Sequence, residues 1–201
     1  MPPRRGYVQR VSQVLSTSFT VPPKNMLDAD YFREVYKTVL PVVEGKYGLH
    51  VVVDVIPAPF TGDIDGASIF IDSRLDAEES LFLLLHLFGH SVQWNSDAAA
   101  RALGLLAVRS PSEELLGELA AYENTAGRYA LHLLNDVGVR DLDQWLANFA
   151  ACDVAYLMDF YRTGEKRPFQ SFWNANATRL IPLAIPAFRP QRWVSRRGVV
   201  I

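Results

Sequence analysis

The sequence predicts an α+β protein in which a small twisted sheet is followed by several helices. Apolar side chains between about residues 28 and 47 recur with the period of an amphipathic helix. Two short segments, at 50–56 and 67–72, are rich in β-branched residues, as strands are. Helical patterns occupy most of the chain between about residues 76 and 164. Strands and helices are therefore segregated along the chain, which is typical of the α+β class.

The first predicted helix begins at Asp28 or Asp30, since either carboxylate can cap the first turn. It ends near Tyr47, where Gly48 follows as a stop signal. The apolar face of this helix consists of Phe32, Val35, Tyr36, Val39, Val42 and Val43. These residues are expected to face the core.

Two strands are predicted next, from His50 to Ile56 and from Ala67 to Asp72. The segment between them, 57–66, is rich in Pro, Gly and Asp and is predicted to be a loop. A stable sheet needs a third strand. We expect it from the N-terminal arm, around residues 18–21.

The helix with the clearest signals follows Asp76, which forms a capping box with Glu79. It extends to about Trp94 and is apolar on nearly every side, so we expect it to be buried. Three more helices are predicted: from a Ser96 cap to Val108, from a Ser112 cap to about Leu134, and from Asp141 to about Gly164.

Composition excludes several classes of protein. The chain has 201 residues and a single cysteine, Cys152, so an internal disulfide and a cysteine-based zinc finger are excluded. We expect Cys152 to be a core residue, because no histidine lies close in sequence to activate it. No apolar run approaches the roughly 20 residues that cross a bilayer, and Arg4 and Arg5 precede no apolar leader. A cytoplasmic protein without membrane contact is expected.

Charge divides the chain into three parts. Residues 1–27, an N-terminal arm, and residues 166–201, a basic C-terminal tail, contain no acidic residue, whereas all 22 acids lie in residues 28–165. We predict that 28–165 form the domain and that the tail packs on it. The bases of the tail are interleaved with aromatic residues and prolines, which favours packing, although basic termini leave nucleic-acid binding open.

Two histidines point to a metal site. His86 and His90 are four residues apart on the buried helix, so both rings project from one face and can bind one ion. The alternative is that each ring satisfies a backbone carbonyl in the core. A third ligand is expected on a separate helix, and Glu123 has the small residues Ala126 and Gly127 beside it, which allow two helices to approach closely.

Glu118 is the alternative carboxylate, on another face of the same predicted helix. Two histidines and one carboxylate suit zinc, and also suit Fe(II). Spacing on one helix favours zinc.

The segment SLFLLLHLFGHSVQ resembles the active-site helix of gluzincin metallopeptidases. The similarity is greatest to the compact zinc peptidases of the ImmA/IrrE family, in which HExGH supplies two ligands and an E-x-x-A-[DN]-x-[FY]-A stretch supplies the third. The corresponding residues here are HLFGH at 86–90 and ENTAGRYA at 123–130. The resemblance covers about residues 28–135 and implies a zincin-like domain with His86, His90 and Glu123 as zinc ligands.

The resemblance also implies an edge strand above the metal that holds an extended substrate. The segment GDIDGASIFID matches that part of the family, which makes Ser68, Ile69 and Phe70 the expected substrate-binding residues. A protein or peptide partner is therefore expected.

The sequence departs from the family at two positions. Leu87 stands where the family has its general-base glutamate, and Gly127 replaces the Asp or Asn of the second motif. Leucine cannot transfer a proton, so a contribution of about 10²–10⁴-fold to the rate is lost. The remaining proton carriers, Glu79, Glu118, Tyr122, Asp63 and Asp65, have no spacing that assigns the role to one of them.

Three functions are consistent with the sequence. The first is a metal-binding protein with a zincin-like fold, inactive or altered in proteolysis. The second is an active intracellular zinc metallopeptidase whose base lies elsewhere in the chain. The third is an interaction module that binds no metal. The pair His86 and His90 with the spaced Glu123 favours a bound metal over the third possibility, and Leu87 at the position of the base favours the first function over the second.

Overall fold

The computed structural model describes residues 28–57, 60–106 and 111–194, and within these ranges the protein is α+β, as predicted. Eight regular elements succeed one another: α1 (Ala29–Gly45), β1 (His50–Asp54), β2 (Gly62–Ile64), β3 (Ser68–Asp72), α2 (Ala77–Ser96), α3 (Ala98–Gly104), α4 (Glu113–Asp136) and α5 (Asp143–Thr163). A 3-10 turn at Phe169–Phe172 follows.

The sheet has the strand order β1-β3-β2, with β1 parallel and β2 antiparallel to β3. The predicted loop at 57–66 is therefore wrong in part, because β2 lies within it. Ile64 of β2 is 1% exposed and pairs with Ile69, so this apolar contact outweighs the turn-forming composition around it. Residues 18–21, where we expected the third strand, lie outside the described residues.

Strand β3 occupies the centre of the sheet, between β1 and β2. The expectation that Ser68, Ile69 and Phe70 lie on an edge strand is wrong for this reason. All three residues pair with β1, Ile69 and Phe70 also pair with β2, and the side chains of Ser68 and Ile69 are buried. Substrate contact at these three residues stays a prediction.

Helix α2 is the central element of the domain. It begins with the predicted capping box, in which Asp76 accepts from the N–H of Glu79 and the Glu79 carboxylate accepts from the N–H of Asp76. Every residue from 81 to 94 is buried. The other helices and the sheet pack around it. Its nearly uniform apolar surface is explained by neighbours on all sides.

Two helix boundaries differ from those predicted. Asp97, not Ser96, caps α3, because its carboxylate accepts from two free N–H groups of the first turn. Ser96 is still in α2, where its hydroxyl donates to the carbonyl of Val92. Helix α3 ends at Gly104, and Val108 lies outside the described residues.

Helix α5 begins at Asp143 rather than Asp141. Asp141 instead accepts a 2.5 Å hydrogen bond from the hydroxyl of Tyr31, which links the entry to α5 with α1. The predicted stop at Gly164 is confirmed, since this residue adopts a φ of +71° just after the helix.

The segment after α5 lies along the domain. The N–H of Leu183 donates to the carbonyl of Arg128 at 3.1 Å, and the N–H of Trp193 donates to the carbonyl of Asp65 at 2.8 Å. The Arg101 guanidinium lies 3.7 Å from the centre of the Trp193 ring. In the part of the chain that the structure describes, no helix is long and apolar enough to cross a lipid bilayer.

Candidate metal centre

The two histidines of α2 face one another inside the protein. His86 and His90 are 3% and 7% exposed, and their Nε2 atoms lie 2.9 Å apart. Four residues along a helix advance the chain by just over one turn, so both rings project from the same side. The Phe82 ring stacks on His86 and the Tyr122 ring on His90, which holds each imidazole in place.

Helix α4 brings a carboxylate to the same point. Oε2 of Glu123 lies 3.0 Å from Nε2 of His90 and 3.4 Å from Nε2 of His86. Glu123 is 3% exposed, whereas the alternative Glu118 is exposed to solvent. The donor atoms of His86, His90 and Glu123 all lie within 4.8 Å of one another, close enough to bind a metal ion.

The close approach of α2 and α4 depends on small residues. A Cβ atom on Gly89 would overlap the carbonyl oxygen of Ala126, so the helices touch at a point that only glycine allows. Gly89 lies beside His90, and Ala126 lies one turn after Glu123. The contact therefore sets the distance between the histidines and the carboxylate.

The hydrogen bonds of Gln93 determine the tautomer of His90. The Gln93 side-chain amide nitrogen donates to the Tyr122 carbonyl at 2.8 Å, which directs its oxygen at Nδ1 of His90, 2.9 Å away. Because that oxygen only accepts, Nδ1 is the donor. In the neutral imidazole, Nε2 then carries a lone pair directed at His86 and Glu123.

A fourth side chain, from α5, reaches the site. Oδ2 of Asp153 lies 3.7 Å from Nε2 of His86, and the residue is 1% exposed. Neither carboxylate oxygen has a hydrogen-bond partner among the residues that the structure describes. Asp153 was not predicted from the sequence as a site residue. Its position on α5 was the available signal, because Asp153 lies at helical spacing from the apolar residues Phe149 and Tyr156. A carboxylate on a buried helix face needs a compensating charge or hydrogen bond.

Burial and mutual repulsion set the electrostatics of the site. Burial, and the proximity of His90, hold the pKa of His86 well below its usual range. Burial, and the charge of Glu123, raise the pKa of Asp153 well above its usual range. The same causes, with Asp153 added, raise the pKa of the nearby Tyr161 hydroxyl. Every one of these shifts disfavours the charged form of the group concerned.

The donor set fits a divalent transition metal. Two imidazole nitrogens and a carboxylate oxygen are ligands that zinc binds at about 2.0–2.2 Å, which places neighbouring donors roughly 3.3 Å apart in a tetrahedral arrangement. The observed spacings of 2.9, 3.0 and 3.4 Å between donors are close to this value. A shift of a few tenths of an ångström would suffice to bind the ion.

No proton carrier occupies the position after His86. Leu87 is 3% exposed and packs against β2, where a Cβ on Gly62 would lie 2.9 Å from its Cδ1 atom. The Tyr122 hydroxyl accepts from the Trp94 indole at 2.9 Å, so it is directed away from the histidines.

The other acids considered as bases have roles elsewhere. Glu79 caps α2, and Glu118 is exposed on α4. Asp63 lies on β2, and Asp65 binds Arg192 at 2.7 Å. None of them is among the residues that meet at the histidines.

Cys152 is the core residue that the sequence predicts. It is fully buried, its thiol donates to the carbonyl of Phe169 at 3.2 Å, and burial together with the charge of Asp153 raises its pKa to about 12. A thiol with such a pKa is not a nucleophile at neutral pH.

Comparison with known proteins returns no relative: no family model, no curated protein and no solved structure matches this chain.

Proposed function

We propose that the protein binds one divalent transition-metal ion through His86, His90 and Glu123. The observation that carries this proposal is the convergence of lone pairs. The His90 Nε2 atom, with its proton on Nδ1, faces a Glu123 oxygen at 3.0 Å and the His86 Nε2 atom at 2.9 Å. A proton can bridge one pair of these atoms, whereas a metal ion satisfies all three.

Zinc is the ion that we assign to the site. Two histidines and one carboxylate also bind Fe(II), and the ligand types do not separate the two metals. The spacing of four residues on a single helix, with the carboxylate on a second helix, is the arrangement of zinc sites of the HExxH type.

The fold we assign to residues 28–165 is zincin-like, similar to the ImmA/IrrE metallopeptidases. Support comes from the buried helix that carries HLFGH and from the carboxylate on the following long helix. Leu87 occupies the place of the general base in that family, so the activity is metal-dependent binding of a protein or peptide partner rather than peptide hydrolysis.

Metal analysis tests the proposal. The wild type and the variants His86→Ala and Glu123→Ala are purified without chelators or immobilised nickel. Their metal content per chain is measured by inductively coupled plasma mass spectrometry. His132→Ala is the matched control, because His132 lies on α4 outside the site. We expect about one zinc per chain in the wild type and the control, and none in the two site variants.

Thermal unfolding distinguishes a lost ligand from a lost fold. A metal that binds only the folded state at 1,000 times its Kd stabilises it by about 4 kcal/mol, so zinc raises the melting temperature of the wild type and not that of the site variants. If the wild type binds neither zinc nor Fe(II), the proposal fails, and an interaction module without a metal is the remaining function. Chelator-sensitive cleavage of casein by zinc-loaded wild type would instead establish an active peptidase.

A further inference from the structure

We propose that Asp153 is a fourth protein ligand, so that the metal lies in a closed site of two histidines and two carboxylates. This inference rests on the proposed function and specifies its chemistry. It would make the ion a non-hydrolytic centre, because four protein ligands fill a tetrahedral zinc site and leave no position for water.

Buried carboxylates elsewhere in the described part of the chain are paired with arginines. Four acidic residues are buried in the described part of the chain: Asp65, Asp72, Glu123 and Asp153. The first two are compensated, Asp65 by Arg192 and Asp72 by Arg74. The other two have only histidines within salt-bridge distance among the described residues.

The Asp153 carboxylate has no hydrogen-bond partner among the described residues, which also favours a cation beside it. Both of its oxygens are buried and neither accepts a hydrogen bond in the described structure. Burying an ionised carboxylate in this way costs several kcal/mol, a large share of the stability of a typical domain. A cation beside Oδ2 removes that cost.

The charges of the ligands and of a divalent ion balance only if both carboxylates bind it. The Nδ1–H group of His90 donates to Gln93, which leaves Nε2 to bind the ion, and a histidine bound in this way is neutral. Two neutral imidazoles and two carboxylates carry a charge of −2, which a divalent ion cancels. A site with Glu123 as its single carboxylate would leave one positive charge among buried side chains.

Coordination by Asp153 requires a movement of its side chain or of α5, because Asp153 is not among the donors that all lie within 4.8 Å of one another. Oδ2 of Asp153 is 3.7 Å from Nε2 of His86, against roughly 3.3 Å between donors of a tetrahedral zinc site. Asp153 lies outside the tightest group of donors, which consists of His86, His90 and Glu123. Coordination therefore draws Asp153 towards His86, and metal binding should stiffen the contact between α5 and α2.

The test compares Asp153→Asn with an outer-shell variant, Gln93→Leu, on the full chain with zinc and with Co(II) as a spectroscopic probe. The asparagine keeps the size of the side chain and removes its charge. Loss of an outer-shell partner lowers metal affinity about 10–100-fold. We expect zinc affinity to fall further in Asp153→Asn than in Gln93→Leu. His86, His90 and Glu123 should still bind about one ion in the Asp153→Asn variant.

The Co(II) spectrum reports whether a coordination position is open. We expect wild-type protein to give a tetrahedral spectrum that azide does not change, and Asp153→Asn to give one that azide shifts, because the vacated position binds exogenous anions.

Two results would overturn the inference. One is an azide-sensitive Co(II) spectrum in the wild type, which would place Asp153 beside an open position. The other is equal zinc affinity of wild type and Asp153→Asn. Both require a wild type that binds metal, so they are distinct from failure of the proposed function, in which the wild type binds none.

Discussion

Gly89 of α2 lies directly against the main chain of Ala126 in α4, with no space for a Cβ atom between them. The contact is one residue from His90 and three from Glu123, so it sets the separation of two candidate ligands. A defect in helix packing at this point is therefore also a defect in the metal centre.

Gly89→Ala should disrupt both packing and metal binding. The added methyl overlaps backbone, which cannot rotate away, so the helices must separate at a cost of about 1–3 kcal/mol or more. Urea unfolding measures the loss, and zinc titration measures the weakened site. Gly117→Ala is the control, because a Cβ there meets nothing within 4 Å. It should stabilise α4 by up to about 1 kcal/mol; equal effects of the two variants would refute this role of Gly89.

Gln93→Leu should weaken zinc binding while leaving the fold intact. The side chain directs the His90 tautomer through its oxygen and is itself held by the Tyr122 carbonyl. Without it the imidazole is free to carry its proton on Nε2, and affinity falls about 10–100-fold. Competition with a chromogenic chelator measures the change. Gln93→Glu keeps an acceptor for Nδ1 and should retain more affinity; the opposite order would contradict the tautomer assignment.

Asp65→Ala should destabilise the protein by about 2–3 kcal/mol. The buried carboxylate accepts from the N–H groups of Ala67 and Ser68 and from the Arg192 guanidinium, so it joins the turn before β3 to the C-terminal segment. Hydrogen bonds to charged groups contribute about 1.5–3 kcal/mol. Chemical unfolding measures the loss. Arg192→Ala should cost less, since the two N–H donors remain; a larger loss for Arg192→Ala would contradict this account.

Glu79 should make stability depend on pH. Burial, and then the charge of Asp76, raise the pKa of Glu79 from 4.5 to about 7 in the folded protein. An acid with a raised folded pKa contributes its full stability below the unfolded value, and the contribution is lost as pH rises through the folded value. The stability of the wild type should therefore fall between about pH 5 and about pH 8 relative to Glu79→Gln.

Glu79→Gln is a suitable reference because glutamine also completes a capping box. Urea midpoints of the two proteins are compared at each pH, and groups that titrate in both cancel in the difference. Parallel pH profiles would show that Glu79 has no raised pKa.

Much of the metal centre follows from local spacing. The period of the α-helix places His86 and His90 on one side of α2, whatever surrounds them. The small residues after Glu123 indicated a helix face that could approach another helix, and the structure has Glu123 rather than Glu118 at the histidines. The capping box at Asp76 was equally predictable, because a cap acts within four residues.

Other features that depend on contacts across the chain were not predicted. Strand β2 lies in a segment with the composition of a loop, and pairing with β3 makes it a strand. The same pairing makes β3 central, although its sequence suits an edge equally well. Asp153 reaches His86 only because α5 packs against α2 and α4, and the two residues are separated by more than sixty positions.

The helices, their caps and the pair of histidines are thus encoded over distances of three to four residues, where backbone geometry leaves few alternatives. Strand order, and the arrival of a second carboxylate beside His86, depend on which distant surfaces bury one another. The hydrophobic effect is non-directional, so it stabilises many different pairings of apolar faces almost equally. Only the packed structure selects among them, and at this site that selection brings Asp153 to the histidines.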